Sequence, residues 1–262
     1  MMKLRTIKNC ISAAFAALTA SLLLLLCLFS VEIQKENIGA SVILSDAMLG
    51  ESADAGEEYL TRMVFFGEST TAHLARTGGV LDTAAGHRQV WKDASGTRML
   101  NRRILASTVD YTDENGICEC IPFEEAVMRA QPAYMVLSFG LNGIVGFTEN
   151  VSRFTETYRY LIESIHTRSP STRIILQSVY PVRSADNFSV DVDTLNQKIA
   201  LLNGHIATLA EALPYVRYAD TASVLSDASG ALSVQYDSGD GIHLTNKAYE
   251  KILFYLRTHA WA

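Results

Sequence analysis

Three short apolar runs, each stopped by a glycine or a proline and each followed by residues at helical spacing, leave this 262-residue chain few ways to fold. Met63–Phe66 ends at Gly67, Ala133–Phe139 at Gly140, and Arg173–Val179 at Tyr180-Pro181. Thr70–Arg76, Val151–Thr167 and Val192–Leu213 read as the helices between them. In the last, Leu195, Ile199, Leu202, Ile206 and Leu209 share one face. A short strand at Val216–Ala219 and a helix at Asn246–Thr258 complete the series. Strands that are apolar on both sides of the pleat need cover on both faces, and crossover helices supply it for parallel neighbours. The pattern predicts an α/β fold, a three-layer α/β/α sandwich around a parallel sheet. The stretch from 80 to 121 is expected to add one strand and long loops.

The N-terminus follows other rules. Ile11–Val31 carries no charge and, as a helix, spans roughly 30 Å, one hydrocarbon core. Lys3, Arg5 and Lys8 precede it, so the basic end is expected in the cytoplasm and the remainder outside. An uncleaved signal anchor is expected, with a cleaved signal peptide as the rival, because the run exceeds the usual apolar region of such peptides. The expected organisation is a basic segment at 1–10, a transmembrane anchor at 11–31, an acidic linker at 32–59 and one domain at 60–262. The net charge is −6 and no basic cluster lies beyond the first ten residues, which argues against a nucleic-acid partner. Cys118 and Cys120 are separated by one residue; in an oxidising compartment pairing stays open, but so small a ring is strained, and two free thiols in a loop are the first expectation. No zinc-ligand spacing occurs.

In an open parallel sheet, ligands bind where the strands end. Gly67-Glu68-Ser69 follows one strand, Gly140-Leu141-Asn142-Gly143 follows another, and Asp240-Gly241-Ile242-His243 precedes the last helix. A serine needs an imidazole to take its proton, and the imidazole needs a carboxylate to fix its tautomer. Each residue alone has a plainer reading: Ser69 as a helix cap, Asp240 as a turn residue, Asn142 as a loop closure, His243 as a surface histidine. Together they converge on one sheet edge in the order nucleophile, amide, carboxylate, base. His73, His87, His166, His205 and His259 lack such company. Trp91 and Tyr180 are open between the cleft and the core.

These segments resemble the SGNH, or GDSL, hydrolase superfamily over residues 60–260. The resemblance implies a flavodoxin-like sheet and a Ser69–His243–Asp240 triad. It also implies an oxyanion hole made by the backbone N–H groups of Ser69 and Gly96 and the side chain of Asn142. Gly78 and Gly79 rival Gly96. Two residues depart from the family pattern. Glu68 stands where an aspartate precedes the nucleophile, and Gly143 stands where an aspartate braces the asparagine loop, which predicts a looser Asn142.

The function expected is a membrane-anchored serine esterase outside the cytoplasm that acts on acylated cell-wall or surface glycans, acetyl esters being the simplest case. No metal or cofactor is required. An acyltransferase or a lipid-directed acylhydrolase is the alternative within enzymes, and a non-catalytic glycan-binding domain is the alternative outside them. The oligomeric state is open.

Overall fold

The computed structural model describes residues 47–261, apart from 76–80, 82–87, 94 and 97. The anchor expected at Ile11–Val31 and the rival glycines Gly78 and Gly79 lie outside the described residues. No helix among the described residues is long and apolar enough to cross a membrane.

Five strands form an all-parallel sheet: β1 (Met63–Gly67), β2 (Val90–Trp91), β5 (Tyr134–Ser138), β6 (Arg173–Gln177) and β7 (Val216–Ala219). Their spatial order is β2-β1-β5-β6-β7, a doubly wound order whose switch point flanks β1. The pleat divides the strand side chains between two cores. Met63, Phe65, Tyr134, Val136 and Ile175 face one layer with α1 (Gly56–Thr61), α2 (Ser69–Leu74) and α7 (Asn246–Thr258). On the other face Phe66 stacks on Phe123 of α3 (Phe123–Ala130) at 4.1 Å. The Tyr158 hydroxyl, from α5 (Val151–Arg168), donates to Leu137 O at 3.2 Å. α6 (Val192–Glu211) covers β7, and the short α4 (Ile144–Glu149) leads into α5.

Two expectations are corrected. Among its described residues the stretch from 80 to 121 holds three strands: β2, and a separate antiparallel pair, β3 (Thr108–Thr112) with β4 (Cys118–Pro122). Cys118 and Cys120 are exposed free thiols on β4. The segment 47–59, read as the end of an acidic linker, is part of the folded unit. The Leu49 N–H donates to Tyr218 O at 2.8 Å beside β7. Those of Ser52 and Ala55 donate to Thr258 O and Arg257 O at 2.7 and 3.0 Å. The last carbonyls of a helix have no intrahelical donor, so this segment caps α7. Arg257 completes the closure by pairing with Asp54 and Glu57.

Candidate active site

Ser69 is the first residue of α2, where a backbone N–H has no intrahelical acceptor. Its Oγ lies 3.1 Å from His243 Nε2, and His243 Nδ1 lies 2.5 Å from Asp240 Oδ2. The three residues thus meet although 171 positions separate Ser69 from Asp240. The turn that carries the latter two holds itself together. Asp240 Oδ1 accepts from the N–H groups of Ile242 and His243 at 2.9 and 2.8 Å, and Asp237 Oδ1 accepts from Gly239 and Gly241 at 2.9 and 2.8 Å. The segment after β6 secures it, as the N–H groups of Arg183 and Ser184 donate to Gly241 O at 2.6 and 3.2 Å. Partial burial raises the Asp240 carboxyl, but the His243 ring and the two N–H groups outweigh it and bring it down to about 2. A charged carboxylate against Nδ1 keeps that nitrogen the donor and leaves Nε2 to accept a proton from Ser69.

The other arm is built around Glu68. Only a glycine fits before it: a Cβ at Gly67 would lie 2.3 Å from Thr71 Oγ1 and 2.4 Å from Ser138 O. That close approach of β1 to β5 puts the buried Glu68 carboxylate under the next loop. Its Oε1 accepts from Gly140 N–H at 2.9 Å, and Oε2 accepts from Leu141 and Asn142 N–H at 3.0 Å each. Burial pushes Glu68 up to about 8, against the downward pull of the three donors. The expected loosening of Asn142 through Gly143 is therefore offset, because Glu68 supplies a brace from below. The longer glutamate side chain reaches three amides in succession.

The Asn142 side chain has two N–H donors, and Nδ2 gives one to Arg98 O at 2.7 Å. Arg98 is itself fixed. Its guanidinium bonds Ser107 Oγ and Thr108 O, pairs with Asp93 at 3.1 Å and lies 5.4 Å over the Phe66 ring. The second amide N–H of Asn142 takes no part in that bond.

Gly96 does not present the donor expected of it. Its N–H points into a turn closed by Asp93, to Oδ1 at 2.8 Å and to O at 3.2 Å, so it is already committed. Trp91 and Tyr180 are core residues, 1% and 6% exposed. Conversely, the sequence reading missed His73, whose ring centroid is 4.4 Å from that of His243 at an interplanar angle of 35°. The available signal was its place one helical turn after Ser69. Among the described residues no cluster of three His, Cys, Asp or Glu side chains is arranged to hold a metal. A cavity of about 790 Å³ lies at the opposite, N-terminal ends of the strands, lined by Met63, Gln89, Trp91, Arg129 and Pro132 among others, and includes none of Ser69, Asn142, Asp240 and His243.

No curated protein matches the sequence. Solved structures share the fold. A Bacteroides fragilis protein named as a candidate acylhydrolase is 21% identical with a TM-score of 0.54, over 81% of this chain and 89% of that one. A GDSL-like lipase of Bacteroides thetaiotaomicron is 23% identical with a TM-score of 0.51, over 78% and 88%. The profile of the GDSL-like lipase/acylhydrolase family matches residues 65–251, a span that includes Ser69, Asn142 and the Asp240–His243 turn. The chain belongs to that family and is a hydrolase of ester bonds.

Proposed function

We propose that the chain is a serine esterase that carries the acyl group of its substrate on Ser69. The observation that supports this is the unbroken line from Ser69 Oγ through the His243 ring to the Asp240 carboxylate. Ser69 Oγ attacks the ester carbonyl as His243 Nε2 takes its proton, and Asp240 stabilises the imidazolium. The oxyanion is received by the Ser69 N–H and the free amide N–H of Asn142, each such donor contributing about 3–4 kcal/mol in the transition state. The tetrahedral adduct collapses as His243 returns the proton to the departing alcohol oxygen. Water, deprotonated by the same nitrogen, then releases the acid and restores Ser69.

The substrate we propose is an acylated glycan at the cell surface, acetyl being the smallest acyl group of that kind. The location rests on the sequence alone: an uncharged run behind three basic residues reads as an anchor that leaves the domain outside the cytoplasm, or secretes it if the run is cleaved. An acyltransferase would differ only in its acceptor, a sugar hydroxyl in place of water.

Labelling with a fluorophosphonate probe tests the reading. The expected result is one adduct, on Ser69, abolished in Ser69→Ala together with a fall in turnover of several orders of magnitude. An adduct on another residue, or none, overturns it.

A further inference from the structure

Beside Asn142 the chain builds an apolar ledge. Arg98 and Leu100 are buried, and Met99 between them stands 46% exposed. Gly143, whose φ is +93°, leaves the space that Met99 fills: a Cβ there would lie 2.9 Å from Met99 Sδ and 3.3 Å from the Phe147 ring. Phe147 follows one helical turn later, half-buried and packed on Phe154 at 4.9 Å. The position that departs from the family pattern is thus occupied by a thioether and an aromatic ring, immediately next to the amide held by Arg98 O.

We propose that Met99 and Phe147 form the subsite for the acyl chain, and that the preferred acyl group is a linear aliphatic chain longer than acetyl. The inference rests on the serine esterase reading and deepens it. His243 must hand its proton to the departing alcohol, so the alcohol lies on the His243 side and the acyl chain points away from it. The Asp240–His243 turn is tied to the segment after β6, whereas Met99 arrives from the segment after β2, across β1 and β5 in the sheet. The ledge therefore lies on the acyl side of Ser69. An exposed unbranched thioether and a half-buried ring, both beside Gly143, suit an aliphatic chain, because methionine adapts its shape to apolar partners. The Gly143 φ is left-handed, so a side chain at this position is strained even before it meets Met99.

The test is the ratio of kcat/KM for p-nitrophenyl octanoate to that for p-nitrophenyl acetate, measured in the native protein, Met99→Ala and Met99→Leu. The octanoate should be preferred by the native protein. The ratio should fall roughly tenfold in Met99→Ala, the scale set by losing a few methylene contacts, and recover in Met99→Leu. An unchanged ratio in Met99→Ala overturns the proposal, as does a native preference for acetate. A change that follows the alcohol rather than the acyl chain, in a series of acetate esters, also overturns it. Fluorophosphonate labelling of the same samples separates the two failures: labelled protein with an unchanged ratio sinks the ledge alone, and protein without label sinks the esterase reading with it.

Discussion

The loop 140–143, which carries Asn142, and the turn 240–243, which carries His243 to Ser69, are braced by carboxylates at different distances. The loop hangs on hydrogen bonds to Glu68, 72 to 74 residues away in sequence and fully buried. The Asp240 side chain bonds only within its own turn, to N–H groups two and three residues on and to the His243 ring, and is 51% exposed; the turn's long-range tie is a different atom, Gly241 O, which accepts from Arg183 and Ser184. Glu68 sits where β1 meets β5, so damage there reaches the sheet. Loss of the Asp240 carboxylate leaves the Gly241 tie in place, so damage there should stay local. The two carboxylates also titrate in opposite senses. Glu68 is raised and Asp240 is lowered, because one is desolvated and the other is supplied with donors at the surface. The imidazole of the proposed triad thus sits on a partly exposed turn, while the loop that carries Asn142 is tied into the core.

The comparison breaks first at Asp240. Asp240→Asn replaces the acceptor at His243 Nδ1 with a group that favours the wrong tautomer, and kcat should fall about 10⁴-fold. The melting temperature should move little, since an exposed acceptor is lost and the fold below is untouched. A large drop in melting temperature, followed by differential scanning calorimetry, would show that the Gly241 tie depends on the Asp240 carboxylate.

Asn142 tests the other arm. In the proposed mechanism its second amide N–H meets charge that exists only after attack, so Asn142→Ala should lower kcat by roughly 10²–10³ and leave KM nearly unchanged. Steady-state kinetics with a short-chain ester separates the two constants. If kcat stays within about tenfold of the native value, the loss is near 1.4 kcal/mol or less and Asn142 only closes the loop.

The parts of this molecule that were legible in the sequence are those recorded by side-chain type. β1, β5 and β6 are continuous apolar runs, and Ser69, Asn142, Asp240 and His243 are chemically distinctive residues at the ends of elements. The hairpin of β3 and β4 was not legible, because Asp110 and Glu119 interrupt strands that bury only Val109, Tyr111 and Ile121. The brace under Asn142 was illegible for another reason. Glu68 binds backbone N–H groups, which every residue but proline carries, so nothing in the side chains of 140–142 announces it. Gly96 was misread although its signal was present: Asp93, three residues earlier, is the kind of residue that captures N–H groups two and three positions on.

Glu68→Gln should separate the arms by stability. An amide offers one oxygen where the carboxyl group offers two, so at least one buried N–H loses its partner, at a cost of about 1–3 kcal/mol. For a domain of this size that corresponds to roughly 2–10 °C in melting temperature. The pH dependence carries the sign. Glu68 lies above its ordinary 4.5, so its contribution is complete below 4.5 and is lost as pH rises toward 8. Asp240 lies below its ordinary 3.8, so its contribution is present above 3.8 and is lost as pH falls toward 2. Melting temperatures across pH 3 to 9 should therefore decline less on the alkaline side in Glu68→Gln than in the native protein. Equal alkaline slopes would remove Glu68 as the group responsible.

The smallest effect is expected at His73, which links the arms: it belongs to α2 with Ser69 and lies against the ring of His243. The edges of the His243 ring are taken by Asp240 and Ser69, so its faces are what remain to fix its plane, and His73 covers one of them. Aromatic contacts of this kind contribute about 0.5–1.5 kcal/mol beyond buried area, which limits the loss of kcat in His73→Ala to roughly tenfold. His73→Phe preserves a ring at the same place and should restore most of that loss. KM should be steady in both, because the contact aligns the base and does not touch the substrate. A kcat that His73→Phe fails to recover would mean that the second imidazole acts through its nitrogens, and the stacking account of His243 would have to be abandoned.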